Sequence, residues 1–341
     1  MQATRYLGVT EMIRLVRDVG IGPILKGLAE YIEEDFRHWP DFDKTPRVAS
    51  HSREGVIELM PTANAELYGF KYVNGHPGNF RAGLQTVTAF GVLADVATGY
   101  PILLSEMTIA TALRTAATSA VAARHLARPD SRVMALIGAG AQSEFQSIAF
   151  REINGITRVQ VHDIDPESIR KYLHNMRDSG LEIVVAGSAA KAVQGADIVT
   201  TVTADKRNAT ILSDNMVSAG MHLNAVGGDC PGKTELQARI LTRGRVFVEF
   251  PPQTRVEGEI QQMPEDFPVT ELWRVISGSE RGRLSRDEIT IFDSVGFATE
   301  DFSTLRYLWD TVQHTGHSRE IDLLTDPEDP RDLFGLFAEA L

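Results

Sequence analysis

The sequence predicts an α/β protein in which a parallel, doubly wound sheet is joined to an α+β module. Three observations carry this. From residue 133 onward, short apolar strands alternate with helical stretches, the pattern of parallel strands linked by crossover helices. Before residue 107 the order is different: amphipathic helices come first, then strands divided by turn signals, as in an antiparallel meander. Between the strand at 133–137 and the next helix lies a glycine-rich turn, Gly138-Ala-Gly-Ala-Gln-Ser143.

Each element has its own signal. In residues 10–39, Met12, Ile13, Leu15 and Val16, then Ile24, Leu25, Leu28, Ile32 and Phe36, recur at helical spacing. Gly20 and Gly22 divide that stretch into two helices, and Trp39-Pro40 ends it. Strands follow at 47–51, 56–60, 68–74, 86–94 and 101–106, separated by Arg53-Glu-Gly55, Gly75-His-Pro-Gly78 and Ala97-Thr-Gly99. Thr108 is placed to cap an alanine-rich helix over 109–126. Further strands are expected at 133–137, 158–162, 183–185, 198–201, 222–226, 246–249 and 290–292, with helices at 142–153, 166–177, 188–193 and 269–276. Asp165-Pro166 reads as an N-cap followed by proline at the first helical position. A last helix over 300–313 returns to the first module.

Composition narrows the function. Of the 341 residues, 43% are hydrophobic and 23% charged, which excludes wholesale disorder. Acidic residues outnumber basic ones 46 to 34, giving a net charge of −12 that repels a phosphate backbone, so no nucleic-acid partner is expected. The single cysteine, Cys230, allows neither an intramolecular disulfide nor a thiolate zinc cage. The longest uncharged stretch, 215–228, is too short to span a bilayer, and charges interrupt the N-terminal segment where a signal peptide would be apolar. A cytoplasmic protein without a membrane partner is expected. The histidines lack HExxH spacing, so no metal site is expected, and no G-x-S-x-G elbow occurs.

The turn at Gly138 is the clearest chemical signal. Gly138 permits a tight turn and Gly140 lets a pyrophosphate approach the backbone, with free helix N–H groups beyond. Asp163 ends the second strand 25 residues after Gly138, near the ~20 expected of the acid that binds a ribose diol. A carboxylate there repels a 2′-phosphate and so favours NAD over NADP. A second unusual stretch is Asn224-Ala-Val-Gly-Gly-Asp-Cys-Pro-Gly-Lys233. Ligands in this fold lie beyond the carboxyl ends of the strands, which puts Asp229 at the crevice, although alone the segment also reads as an ordinary Gly-Asp turn. Arg47, Glu58 and Lys71 fall on successive strands of the meander, and Arg114 lies early in the alanine-rich helix. Two such cations converging would fix a small carboxylate, while each taken singly reads as a solvated surface charge.

Together these stretches resemble the ornithine cyclodeaminase/mu-crystallin family over nearly the whole chain. The resemblance rests on Arg47-Val-Ala-Ser-His-Ser52, Val56-Ile-Glu-Leu-Met-Pro61, Phe70-Lys-Tyr-Val-Asn-Gly-His-Pro77, Thr111-Ala-Leu-Arg-Thr115, Gly138-Ala-Gly-Ala-Gln142, the 224–233 stretch and Asp293-Ser-Val-Gly296. It implies an NAD-binding Rossmann domain at 121–299, set into a substrate-binding and dimerisation domain made of 1–120 and 300–341. It implies that Arg47, Lys71 and Arg114 hold the substrate carboxylate, that Asp229 is the acid/base, that Glu58 assists at the reacting amine and that Val295 lies against the substrate. NAD contacts would come from Thr86, Arg114, Gly138, Gly140, Ala141, Gln142, Asp163, Thr203, Asn224, Ala225, Val226, Lys233 and Ser294. The implied activity is conversion of L-ornithine to L-proline and ammonia with no net redox change, in a homodimer. Within the family, an amino-acid dehydrogenase, a ketimine reductase or a lysine cyclodeaminase are the alternatives. A non-catalytic, crystallin-like binding protein is a further one.

Overall fold

The computed structural model describes residues 3–204 and 210–338, so the ends of the expected first domain, 1–2 and 339–341, lie outside the described residues. The chain opens with β1 (Thr4–Leu7), α1 (Val9–Val19) and α2 (Ile21–Arg37). Next come β2 (Asp43–Lys44), β3 (Val48–His51), β4 (Val56–Ala63), β5 (Leu67–Gly75), β6 (Val87–Asp95) and β7 (Pro101–Glu106), followed by the long helix α3 (Thr108–Leu126). The alternating region holds β8 (Val133–Ile137), α4 (Ser143–Asn154), β9 (Arg158–His162), α5 (Pro166–Met176), β10 (Glu182–Val185), α6 (Ala189–Val193), β11 (Ile198–Thr201) and β12 (His222–Ala225). It continues through α7 (Ala238–Leu241), β13 (Arg245–Val248), α8 (Pro251–Glu257), β14 (Thr270–Glu271), α9 (Leu272–Ile276) and β15 (Thr290–Asp293). Then α10 (Ala298–Thr315) and β16 (Arg319–Ile321) return to the beginning.

Two sheets result. One has the order β16-β1-β7-β6-β5-β4-β2, with β3 also paired to β4. It is antiparallel except where β1 runs parallel to β7. Sequence pattern finds its middle but not its edge, because β1 and β16 pair with each other across the chain, Thr4 against Ile321. The other sheet is wholly parallel in the order β10-β9-β8-β11-β12-β15-β13-β14. The chain leaves β8 to one side and later returns as β11 on its other side, so the strand order reverses at β8. The crevice beyond the carboxyl ends of β8 and β11 is where such a fold binds ligands. A continuous apolar core, with Leu25, Leu28 and Phe36 of α2, Leu113 of α3 and Phe302 and Leu305 of α10, also takes in Phe247 and Phe292 of the parallel sheet. One core therefore joins the two sheets, and the parallel sheet has two further cores of its own. Among the described residues no helix is long and apolar enough to cross a membrane.

Local signals are corrected in three places. The break between α1 and α2 is at Gly20, where φ is 92°, and Gly22 lies inside α2. The expected helix at 269–276 begins only at Leu272, because Thr270 and Glu271 pair with Phe247 and Val248 as a short edge strand. Thr108 does not cap α3. Its hydroxyl instead accepts from Ala89 N–H at 2.9 Å, fastening the helix to β6. The Glu106 carboxylate takes the first-turn N–H groups of Thr108, Ile109 and Ala110 at 2.9, 3.0 and 3.3 Å. By contrast, Asp165 caps α5 as the sequence predicts, accepting from Glu167 and Ser168 N–H.

Glu106→Ala leaves those three N–H groups without their carboxylate. It should cost about 1–2 kcal/mol, the upper range of a deleted helix cap, read from denaturant midpoints, with Glu106→Gln losing less. An unchanged midpoint in Glu106→Ala would show that water replaces the carboxylate.

Candidate active site

The loop after β8 is shaped for a dinucleotide. Gly138 has φ 106°, and a Cβ there would come within 2.9 Å of the Val202 backbone, so only glycine fits. A Cβ on Gly140 would meet nothing within 4 Å, leaving open space at the start of α4. Asp163, just past the end of β9, is fastened to this loop. Its carboxylate accepts Ala139 N–H at 2.6 Å and Asp165 N–H at 2.8 Å, and its remaining lone pairs can receive ribose hydroxyls. Ala141 and Gln142 lead into α4. Gln142 Oε1 and the buried Asn224 Oδ1 of β12 have no hydrogen-bond partner among the described residues, which is the state expected of groups that await a polar ligand. The residues present fit a nicotinamide dinucleotide.

On the facing side the sheet of β4 and β5 supplies charge. Glu58 and Lys71 lie on the inner face, since Lys71 stands opposite Met60, two residues from Glu58. Arg47, just before β3, has a side chain only 8% exposed. It donates to Glu58 at 3.1 Å, pairs with Glu257 of α8 at 3.1 Å, and donates to the carbonyls of Val295 and Gly296 at 2.7 Å each. Lys71 donates to Asp301 at 2.8 Å. Arg114 of α3 pairs with Glu300 at 2.6 Å and with Asp301 at 3.0 Å, both in the first turn of α10. Glu249, at the end of β13, accepts from the Ser294 hydroxyl at 2.7 Å and from Gly296 N–H at 3.2 Å.

Burial governs the protonation of this cluster. It pushes the Lys71 ammonium down to about 8, with the Arg114 guanidinium acting in the same sense. It pushes the Glu257 carboxyl up to about 7, reinforced by Glu58 and Asp229 and opposed by Arg47. Glu300 is likewise raised by burial, against the pull of Arg114.

Asp229 stands at the edge of this charged interior. Its side chain is 55% exposed and accepts from Lys233 Nζ at 3.2 Å, while Lys233 itself is buried and also donates to the Thr203 carbonyl at 3.1 Å. After Glu58 and Glu257, Asp229 is the next acidic charge felt by Arg47. The chain thus brings together Arg47, Glu58, Lys71, Arg114, Asp229 and Val295 between the two sheets. Gly138, Gly140, Ala141, Gln142, Asp163, Thr203, Asn224, Ala225, Val226, Lys233 and Ser294 lie along the strand ends of the parallel sheet. Thr86 belongs to the antiparallel module. It occupies a bend before β6, and its carbonyl accepts His76 N–H.

Sequence reasoning missed the acids that neutralise the cations: Glu249, Glu257, Glu300 and Asp301. A signal existed for Glu249, which directly follows an apolar strand at its carboxyl end, where this fold keeps its ligand-facing groups. Glu257, Glu300 and Asp301 carry no such mark and look like solvated helix residues. Lys171 of α5 was also missed. It donates to the Gly140 carbonyl at 2.8 Å and brings a cation to the glycine loop.

The folded chain keeps Glu257 protonated up to about pH 7, whereas an unfolded glutamate releases its proton near 4.5. The folded state therefore holds the extra proton in that window, and the stability contributed by this group falls as pH rises from 4.5 to about 7. Glu257→Gln should flatten this part of the stability curve, measured by urea midpoints at successive pH values. Some slope should remain, because Asp293 is also pushed up to about 7 by burial. A curve of unchanged slope would contradict the assignment.

A model of the ornithine cyclodeaminase/mu-crystallin family matches residues 9–316. An ornithine cyclodeaminase of Brucella suis is 64% identical over 331 residues, covering 97% of this chain and 92% of the relative. Among solved structures, a lysine cyclodeaminase described for its recognition of L-lysine, L-ornithine and L-2,4-diaminobutyric acid superposes with a TM-score of 0.91. It is 30% identical and covers 98% of this chain and 99% of its own. An archaeal alanine dehydrogenase dimer with bound NAD gives a TM-score of 0.86 at 30% identity, covering 94% and 99%. The family match runs from the first residue of α1 to the residue after α10 and so takes in the parallel sheet, β2 to β7 of the antiparallel one and the charged residues between them: this chain belongs to the ornithine cyclodeaminase/mu-crystallin family.

Proposed function

We propose that the protein is an ornithine cyclodeaminase that converts L-ornithine to L-proline and ammonia with NAD as its cofactor. The observation that carries this reading is three buried cations beside an exposed aspartate at the mouth of a dinucleotide crevice, in a chain 64% identical to a relative of that name. Arg47, Lys71 and Arg114 bind the substrate carboxylate. Each is paired with a protein carboxylate before substrate arrives, so no buried cation stands unpaired in the empty site. Asp229 accepts a proton from the attacking amine and donates one to the departing ammonia, and Glu58 orients the amine beside Arg47. Val295, whose carbonyl is held by Arg47, packs against the substrate.

The glycine loop with Ala141 and Gln142 takes the pyrophosphate, and Asp163 takes the adenosine ribose and disfavours NADP. Thr203, Asn224, Ala225, Val226, Lys233 and Ser294 line the rest of the cofactor, with Thr86 and Arg114 reaching it from the other module. When bound, NAD+ supplies a reversible oxidation at the substrate α-carbon that is undone before product leaves. Residues 1–120 and 300–341 form the substrate-binding and dimerisation domain, and 121–299 the NAD-binding domain.

The dimer face is the outer side of the antiparallel sheet. Val48, Leu59, Tyr72 and Phe90 form a row across β3, β4, β5 and β6, with Tyr72 and Phe90 stacked at 5.0 Å. Leu59 and Phe90 are each 43% exposed and Val48 62%, an apolar surface that a second copy would cover. Sedimentation of the protein should give a dimer and Leu59→Glu/Phe90→Glu a folded monomer. A monomeric parent protein would remove this assignment.

The activity is tested by incubating the protein with ornithine and catalytic NAD+ while following ammonia, proline and absorbance at 340 nm. Ammonia and proline should appear in equal amounts, NADP+ should not substitute, and NADH should not accumulate. Asp229→Asn keeps the shape but removes the ionisable group, so kcat should fall ~10²–10⁴-fold while NAD+ affinity persists. Stoichiometric NADH would indicate a dehydrogenase, and near-normal turnover in Asp229→Asn would leave the mechanism without its proton carrier.

A further inference from the structure

Among the described residues, Lys233 is the side-chain partner of the exposed Asp229, which leaves its position to be set largely through the backbone of its loop. Three buried carboxylates tie that loop to its surroundings in sequence, Glu259 bonding its backbone directly. Asp293, at the end of β15, accepts Glu259 and Ile260 N–H at 2.8 and 2.9 Å. Glu259 accepts Glu235 and Leu236 N–H at 2.7 and 3.0 Å. Glu235 accepts Thr203 N–H at 2.9 Å and the Thr203 hydroxyl as well. The ladder runs from the turn that holds Ser294 and Val295, past the loop that holds Asp229, to the strand end that holds Thr203.

Three glycines make room for it. A Cβ on Gly258 would come within 2.6 Å of Asp293 Oδ1, and one on Gly228 within 2.6 Å of Glu259 Oε1, while one on Gly227 would strike the Glu235 carboxylate. The glycine pair before Asp229, which the sequence marks as unusual, is therefore explained by two carboxylates on which that backbone rests. Both carboxylates are buried, with Glu235 at 2% and Glu259 at 0% exposure.

We propose that Glu235 and Glu259 are positioning residues which, by holding the 227–236 backbone against the Asp293 turn, set the Asp229 carboxylate at the reacting amine. The proposal rests on the reading of Asp229 as the proton carrier. Glu259→Gln is the direct test, because an amide has one acceptor oxygen and a donor NH2, so it cannot receive both N–H groups. In NAD-loaded protein, amide hydrogen exchange in residues 227–236 should quicken about tenfold, the effect of one lost hydrogen bond, while residues 138–146 keep their protection. Turnover of ornithine should fall by a similar factor, with KM changed far less. In an Asp229→Asn background the same substitution should have almost no effect on kcat, the non-additivity of two residues acting through one group.

Unchanged exchange in 227–236, or an equal fold-loss in both backgrounds, would overturn the proposal. If the parent protein makes no proline from ornithine, the activity assignment fails by itself, and the exchange measurement still decides whether these acids hold the loop. Should Glu259→Gln fail to fold, Gly228→Ala presses on the Glu259 carboxylate and Glu235→Gln alters its bond to Thr203, and each is read in the same way.

Discussion

The guanidinium of Arg47 reaches Glu58 on β4, Glu257 on α8 and the carbonyls of Val295 and Gly296 between β15 and α10. It is thereby bonded to the antiparallel sheet and to the crossover segments of the parallel one at the same time. A charge this deeply buried is tolerated only when paired, and removing one partner of such a pair typically costs about 3–5 kcal/mol. The geometry of the whole crevice follows from satisfying it. The turn at Val295 and Gly296 is pulled towards the first sheet, and Gln253 Nε2 donates to the same Gly296 carbonyl at 2.9 Å. Where this turn sits decides where α10 begins and hence where Glu300 and Asp301 face Arg114 and Lys71.

Those acids serve two ends. As residues of the first turn of α10 they sit at the positive end of its dipole. As partners of Lys71 and Arg114 they keep the cations paired before any anionic ligand arrives. The arrangement is a preorganised electrostatic site, with the ionic groups fixed by packing and the reorganisation done in folding. The Arg47 and Lys71 side chains are only 8% and 2% exposed, and burial of this kind shields reacting groups from water.

The two halves of the crevice are prepared differently. The dinucleotide half relies on backbone shape: a left-handed glycine, an open position at Gly140 and an aspartate already tied to the loop amide of Ala139. The other half, proposed to take the substrate, relies on buried side-chain charge. Asp229 belongs to the loop between them and is exposed, which fits the proton-carrying role proposed for it.

The sequence by itself determined what depends on near neighbours. The strands at 133–137, 158–162 and 198–201 have the bounds read from apolar runs, and the Asp165 cap and the Gly138 turn follow from residues within one or two turns of chain. The candidate residues were legible where a motif carried them, as at Arg47, Lys71 and Asp229. Only the tertiary structure decided which charges are paired. Arg114 and Glu300 lie 186 residues apart and Lys71 and Asp301 lie 230 apart, and a glutamate on a helix carries no mark of the cation it will meet. The same holds for β1 against β16, and for Thr108, whose expected cap is taken over by Glu106 once β6 draws the threonine hydroxyl away. Local propensity fixes the backbone's choice among a few conformations, whereas the pairing of buried charges depends on desolvation, which exists only after distant elements have closed the water out.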